Sequence, residues 1–292
     1  QCKAELMSGE FEMGKHIDKA ISEEEKAQGK VLLCCTTAKS DLKINVPGFN
    51  QNALPVRTLP ARIENIEIKH DVALLKLALP KAPSFAFYAG QYIDLLLPGN
   101  ISRSYSIANS PDQEGILELH IRKRENGVCS EMIFGAEPKI KEKGIVRVKG
   151  PLGTFTLQKD SDKPIVLLAT GTGYAPIRSI LLDLIHQNSE RQVHFYWGAR
   201  QQEDLYALEE AEALIGRLKN AKFSPVLSKP DSDWKGENGY VQNVAAQNYP
   251  DLSQYEVYAC GSPAMTESAQ SLLTQKCALP EPAFFCDAFS PA

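Results

Sequence analysis

No apolar run in this sequence approaches the roughly 18 residues that a membrane-crossing helix requires. No excess of one charge sign is present either. The chain has 292 residues, with 32 Lys and Arg against 36 Asp and Glu, a formal net charge of −4. That balance lacks the electrostatic footprint of a nucleic-acid partner or an anionic membrane surface. A paired-cysteine framework is missing as well. The seven cysteines (Cys2, Cys34, Cys35, Cys129, Cys260, Cys277, Cys286) are odd in number and scattered, the usage of a reducing compartment, so the cytoplasm is the expected location. The start, Gln1-Cys2-Lys3, shows no basic and apolar segments of a secretory signal. The histidines His16, His70, His120, His186 and His194 have no zinc-ligand spacing. No Gly-x-Ser-x-Gly elbow is present, which sets a serine-hydrolase reading aside.

What is present falls into three textures. Residues 1–52 carry an acidic run, Ser22-Glu23-Glu24-Glu25-Lys26, in which Ser22 and Glu25 have capping-box spacing, then the apolar Val31-Leu32-Leu33. The turn-rich Pro47–Asn52 reads as a linker. Residues 53–158 hold six short alternating segments: Ala61–Ile68, Val72–Leu79, Tyr92–Leu97, Ser104–Ala108, Leu117–Arg122 and Ile145–Lys149. Punctuated by Gly and Pro, they predict a small antiparallel barrel. In residues 159–292, continuous apolar segments (Ile165–Ala169, Val193–Trp197, Lys222–Leu227, Glu256–Cys260) alternate with the helical Ile177–His186 and Leu205–Leu218. That alternation predicts a parallel α/β sheet.

Four motifs stand at the boundaries between strands, turns and helices. Gly171-Thr172-Gly173-Tyr174-Ala175-Pro176 lies between a buried strand and a helix, where glycines let backbone N–H groups approach a phosphate and Pro suits the first turn. It lacks the third glycine of the dinucleotide fingerprint, so the motif alone leaves a plain tight turn open. Cys260-Gly261-Ser262-Pro263, with Met265 beyond it, follows another apolar strand and so emerges at the same carboxyl edge. There a small thiol beside glycine leaves room for a flat ring, or simply packs as a small hydrophobe. In the barrel, Arg103-Ser104-Tyr105-Ser106 offers a pyrophosphate partner, a flat aromatic face and a hydrogen bond. Gly127-Val128-Cys129-Ser130 precedes a helical segment and forms a second candidate phosphate cradle. His120, Ile121 and Arg122 lie on the strand ahead of it and either reach the same pyrophosphate or cap that strand.

On these four ordered motifs the chain resembles the ferredoxin–NADP reductase superfamily of flavoprotein reductases, over about residues 55–292. The resemblance implies a multi-domain fold: an antiparallel β-barrel FAD domain, then an α/β parallel-sheet NAD(P) domain. FAD would be held through Arg103, Tyr105 and Ser106 and through Gly127–Ser130. NAD(P)H would be held through Gly171–Pro176 and Cys260–Pro263. The first 48 residues resemble the C-terminal part of a β-grasp, plant-type [2Fe–2S] ferredoxin domain, which takes four cysteines. Cys2 matches its third ligand and Cys34 its fourth, with Cys35 a neighbour. The first two ligands would precede Gln1, so a longer parent protein is expected. The order of parts resembles reductase components of multicomponent oxygenases and the CDP-6-deoxy-Δ3,4-glucoseen reductase subfamily, which implies an electron-accepting protein partner of oxygenase or dehydratase type.

The same resemblance implies roles at the reacting centre. Ser106 would hydrogen-bond near the flavin, Cys260 would lie against the nicotinamide, Asp287 would stand in for a C-terminal acidic group, and Phe289 would cover the ring. Donor choice depends on the end of the second parallel strand: Arg200 favours NADPH, whereas Glu203 and Asp204 favour NADH, and the balance tips slightly to NADH. A free flavin or ferric reductase and a slow redox-sensing subunit remain open beside the electron-transfer reading.

Overall fold

The computed structural model describes residues 3–16, 20–46 and 54–289. It divides into two compact units, residues 1–53 and residues 54–292.

In the first unit, β1 (Lys3–Ser8) is the centre of a three-stranded sheet. It pairs antiparallel with β3 (Lys30–Leu32) and β5 (Lys43–Asn45), while β2 (Phe11–Met13) pairs with β4 (Thr36–Ala38). The helix α1 (Glu23–Ala27) begins where the capping spacing placed it. Ser22 accepts from the Glu25 N–H, and the Glu25 carboxylate accepts from the Ser22 N–H. Cys34 lies in a single 3₁₀ turn, Leu33–Cys35. Cys2 and the segment 47–53 lie outside the described residues.

The second unit holds both remaining modules. All six expected barrel strands form: β6 (Arg57–Lys69), β7 (Val72–Ala78), β8 (Tyr92–Leu97), β9 (Ile101–Ser106), β10 (Ile116–Arg122) and β11 (Ile145–Leu152). Their order is β10-β7-β6-β11-β8-β9, entirely antiparallel. An Ile107–Leu119 bridge and the Ala108 N–H to Glu118 carbonyl bond bring the two edge strands together, which removes the exposed edges. Alternate residues such as Ile63, Leu75, Ile93, Leu95 and Leu119 are sealed inside. The helix α2 (Val128–Phe134) follows β10.

The α/β module is a six-stranded parallel sheet. Its strands are β12 (Ile165–Thr170), β13 (Val193–Ala199), β14 (Ala221–Leu227), β15 (Glu237–Asn238), β16 (Glu256–Gly261) and β17 (Phe284–Ala288), in the order β15-β14-β13-β12-β16-β17. The helices α3 (Tyr174–His186) and α4 (Leu208–Ile215) cover one face. The other face is covered by α5 (Val241–Asn248) and α6 (Pro263–Lys276). Burial on both faces is why β12, β13 and β16 read as unbroken apolar runs. The chain winds from β12 outward to β13 and later returns to β16 on its other side. The strand order therefore reverses at β12, which opens a ligand crevice at its carboxyl end. No helix among the described residues is long and apolar enough to cross a membrane.

Candidate flavin and nicotinamide site

The carboxyl end of β12 is built around glycine. Gly171 turns the chain at φ +54°, and its carbonyl accepts from the Trp197 indole N–H at 3.0 Å. Tyr174 stacks on Trp197 with ring centroids 4.3 Å apart, so a buried aromatic pair fixes the turn from below. Gly173 lies so close to β16 that a Cβ there would overlap the Cys260 carbonyl oxygen. Gly261 holds φ +145°, and a Cβ on it would overlap the Thr170 hydroxyl. The Ser262 N–H donates to that hydroxyl at 3.3 Å, and Ser262 also caps α6 by accepting from the Met265 N–H. Two glycines are thus required by contact between adjacent strand ends. The backbone there is left open to a ligand.

The barrel supplies the other wall. Along β9, Arg103 and Tyr105 are half-buried, Ser106 is buried, and Ser102 and Ser104 are exposed. Ser104 donates to Asp94 at 2.7 Å. Gly127 is the N-cap of α2. Its bend is held by Ser130, whose hydroxyl accepts from the Arg124 N–H at 2.8 Å. A Cβ on Gly127 would press on Ser130 Oγ at 3.1 Å and on Arg124. Cys129 is buried under the cradle in hydrogen-bond contact with Tyr105, and burial raises the pKa of both groups. Ile121 turns its side chain into the barrel core, leaving only its backbone for the site.

These pieces face one cleft of about 550 Å³, lined by Tyr92, Ser102–Ser106, His120, Arg122, Arg124–Ser130, Thr172, Ala175 and Asp287–Phe289. Asp287 sits opposite Cys260 in the β16–β17 register. Burial pushes its carboxyl up to about 6 and holds the Cys260 thiol well above its ordinary range, with Asp287 and Cys286 adding to the effect. Phe289 is half-buried, and its N–H donates to the Gly261 carbonyl at 2.8 Å. Met265, Tyr174 and Pro176 are buried and act as supports for the site.

His120 and Arg122 reach the cleft, yet both are also engaged across to the α/β module. His120 lies between Glu118 (3.2 Å) and the Tyr206 hydroxyl (2.8 Å). Because a carboxylate only accepts, Nε2–H donates to Glu118, and Nδ1 accepts from Tyr206. Burial lowers the pKa of His120, opposed by Glu118. Arg122 pairs with Asp71 at 2.8 Å and Asp204 at 3.2 Å. Asp204 also accepts from the Gln201 N–H, so this carboxylate is occupied within the fold. Of the two acidic residues that favoured NADH, Glu203 alone stays exposed, near the exposed Arg200.

The sequence reading passed over Arg124 and Tyr92, which line the same cleft. Arg124 stands two residues beyond Arg122, a spacing that places same-side neighbours along an extended chain. Tyr92 is the register partner of Ser106 across the β8–β9 pair, a long-range relation with no local signal.

Two domain families match the chain: the oxidoreductase FAD-binding domain over residues 61–157 and the oxidoreductase NAD-binding domain over residues 167–271. All of the chain aligns at 41% identity with 86% of the CDP-6-deoxy-L-threo-D-glycero-4-hexulose-3-dehydrase reductase of Yersinia pestis. The chain belongs to the ferredoxin reductase-type flavoprotein reductases. This reductase is also 33% identical to the propane 2-monooxygenase reductase component of Gordonia sp. (strain TY-5), over all of this chain and 86% of that protein. A solved cytochrome P450 reductase from Amycolatopsis, GcoB, superposes with a TM-score of 0.83 at 29% identity, covering 99% of this chain and 87% of that one. The reductase is therefore an NAD(P)H-dependent flavin oxidoreductase.

The site fits FAD on its own geometry. It combines guanidinium groups from Arg103 and Arg124, a backbone cradle that a Cβ at Gly127 would crowd, and an aromatic face from Tyr105. A plant-type [2Fe–2S] cluster takes four thiolates. Among the described residues of the first unit, Cys34 and Cys35 have their sulfurs 3.6 Å apart, and no group of three metal-ligating side chains occurs among the described residues. Cys2 lies outside the described residues.

Proposed function

We propose that this protein is the reductase component of an oxygenase or dehydratase system, taking electrons from NAD(P)H and delivering them to a protein partner in the cytoplasm. The domain division is 1–52, 53–158 and 159–292. The first part belongs to a ferredoxin-type [2Fe–2S] domain in which Cys2 and Cys34 are ligands. The observation that carries the reading is the single cleft in which the Arg103–Ser106 strand and the Gly127 cradle face the Gly171–Gly173 turn and Asp287–Phe289.

Within that cleft, Arg103, Arg124 and the backbone of Gly127–Ser130 neutralise the FAD pyrophosphate, and Tyr105 lies along the ring system. The Gly171–Gly173 turn and the start of α3 receive the NAD(P)H pyrophosphate. Bound FAD would supply the conversion of a hydride's electron pair into single electrons. Ser106 provides a fixed hydroxyl at the reacting end. Cys260, buried and neutral, leaves space for the nicotinamide without placing a charge beside it. Asp287, its carboxyl pushed up to about 6 by burial, exchanges a proton just below neutral pH at the edge of the same space, and Phe289 excludes water.

The relatives named as dehydrase and monooxygenase reductases support a protein acceptor over free flavin. Steady-state ferricyanide reduction by NADH tests the oxidative half of the proposal. Activity that depends on added or retained FAD is expected, and equal rates with and without FAD would contradict it.

A further inference from the structure

One side chain of the flavin barrel is paired with a carboxylate of the nicotinamide module, and the chemistry of the site makes no use of that bond. Arg122 is the last residue of β10, just ahead of the phosphate cradle. Its Nε faces Asp71 Oδ2 at 2.8 Å in the β6–β7 turn of its own barrel. Its Nη2 donates to Asp204 Oδ1 at 3.2 Å, in the 3₁₀ turn Gln202–Asp204 that follows β13. The third arm, Nη1, lies 3.1 Å from where a Cβ on Gly171 would stand. The other oxygen of Asp204 accepts from the Gln201 N–H, so the carboxylate is tied to its own turn while it holds the arginine. Two residues earlier on β10, His120 accepts from Tyr206. Residues 120 and 122 point to one side of a strand, and that side reads residues 204 and 206 of the facing module.

A second set of bonds joins the modules away from the Gly-rich turn. Arg178 of α3 donates to the Ala108 carbonyl at 2.7 Å and pairs with Glu210 at 2.8 Å, and Ser179 donates to the Asn109 carbonyl at 2.7 Å. That set is more deeply buried: the Arg178 side chain is 13% exposed against 26% for Arg122. The α3 contact therefore acts as a weld. Without the Arg122 bridge the His120–Tyr206 bond would be left to hold the cleft side about it.

We propose that Asp204 is a positioning residue: through Arg122 it fixes the distance between the Gly171–Gly173 turn and the flavin cradle. Asp204 lines no part of the cleft and acts only through the arginine. The inference rests on the reading of that turn as the NAD(P)H site. Small displacements of donor and acceptor cost rate steeply, whereas affinity depends on contacts within one module that the bridge leaves intact.

The test compares wild type with Asp204→Asn, which keeps an acceptor for the Gln201 N–H and removes the charge, and with Asp204→Glu, which restores the charge. In apoprotein, hydrogen exchange should quicken about fivefold over 170–175 and 201–206 in Asp204→Asn and stay unchanged over 178–180. In flavin-loaded protein, bleaching at saturating NADH should slow about tenfold while the NADH dissociation constant moves less than about threefold. Asp204→Glu should recover most of the rate. Wild-type exchange, or a wild-type bleaching rate, in Asp204→Asn would overturn the proposal while leaving the reductase reading intact. Failure of wild type itself to bleach would remove both. Should Asp204→Asn not fold, Arg122→Lys, which cannot hold two carboxylates in a fork, carries the same comparison.

Discussion

Cys260 and Asp287 stand opposite each other on the parallel strands β16 and β17, and burial drives both toward their neutral forms. The carboxyl edge of the sheet thus sets a neutral thiol beside a carboxyl that titrates near pH 6. A nicotinamide gains positive charge as it gives up hydride.

The Asp287 carboxyl makes stability depend on pH in a defined direction. Its native pKa is about 6, against about 3.9 in an unfolded chain. Between those values the native state keeps a proton that the unfolded state releases. Its contribution to stability therefore falls as pH rises from about 4 to 6 and is level above that. Asp287→Asn removes this slope. Relative to wild type, the variant should gain about 2 kcal/mol between pH 4 and pH 7, allowing for partial exposure. Denaturant titrations of both proteins across that range would show it, and parallel curves would contradict it.

Gly173 is pressed against backbone, which cannot move aside as a side chain can. Gly173→Ala should destabilise the α/β module by about 3 kcal/mol and weaken NADH binding at least about tenfold. FAD binding should stay near wild type, because the barrel cradle is untouched. Gly216→Ala is the control. Its Cβ would meet only ordinary contacts at 3.5 Å at φ −62°, and its effect should stay within about 1 kcal/mol. Thermal melts with calorimetric binding of each nucleotide separate these outcomes.

Arg124 enters the site from the barrel alone. Arg124→Ala should weaken FAD binding by about 10–100-fold, the loss of one charge-assisted contact, with the affinity for NADH unchanged. Flavin retained through dialysis is the measurement. Full retention would remove Arg124 from the pyrophosphate contact.

Ser106→Ala tests the reacting end. The hydroxyl is buried and small, so its loss should leave flavin content intact. The rate of flavin reduction should fall by about 10–100-fold, the usual cost of one preorganised donor. Loss of flavin at an unchanged rate per bound FAD would assign Ser106 to binding instead.

Much of this arrangement was legible in the sequence because its signals are local. The six barrel strands and β12, β13, β14 and β16 carry their own periodicity. Ser22 with Glu25, and Gly171 with Gly173, declare a cap and a turn within a few residues. What escaped depends on pairing across the fold. β17 lies beside β16 through register, and Tyr92 meets Ser106 across a strand pair. Asp204 was read as a ribose ligand from its distance past β13. Its carboxylate is held by Arg122, 82 residues earlier in the chain, a partner that spacing cannot reveal. Helices α5 and α6 were missed because each carries a mixed polar face, Gln242 and Thr266 being buried among apolar neighbours.

The most direct test is an absorption spectrum of the purified protein reconstituted with FAD, taken anaerobically before and after one equivalent of NADH. The account predicts that the flavin band remains with the protein through gel filtration and bleaches on addition of NADH. A protein that does not retain FAD, or a bound flavin band that NADH leaves unchanged, would contradict it.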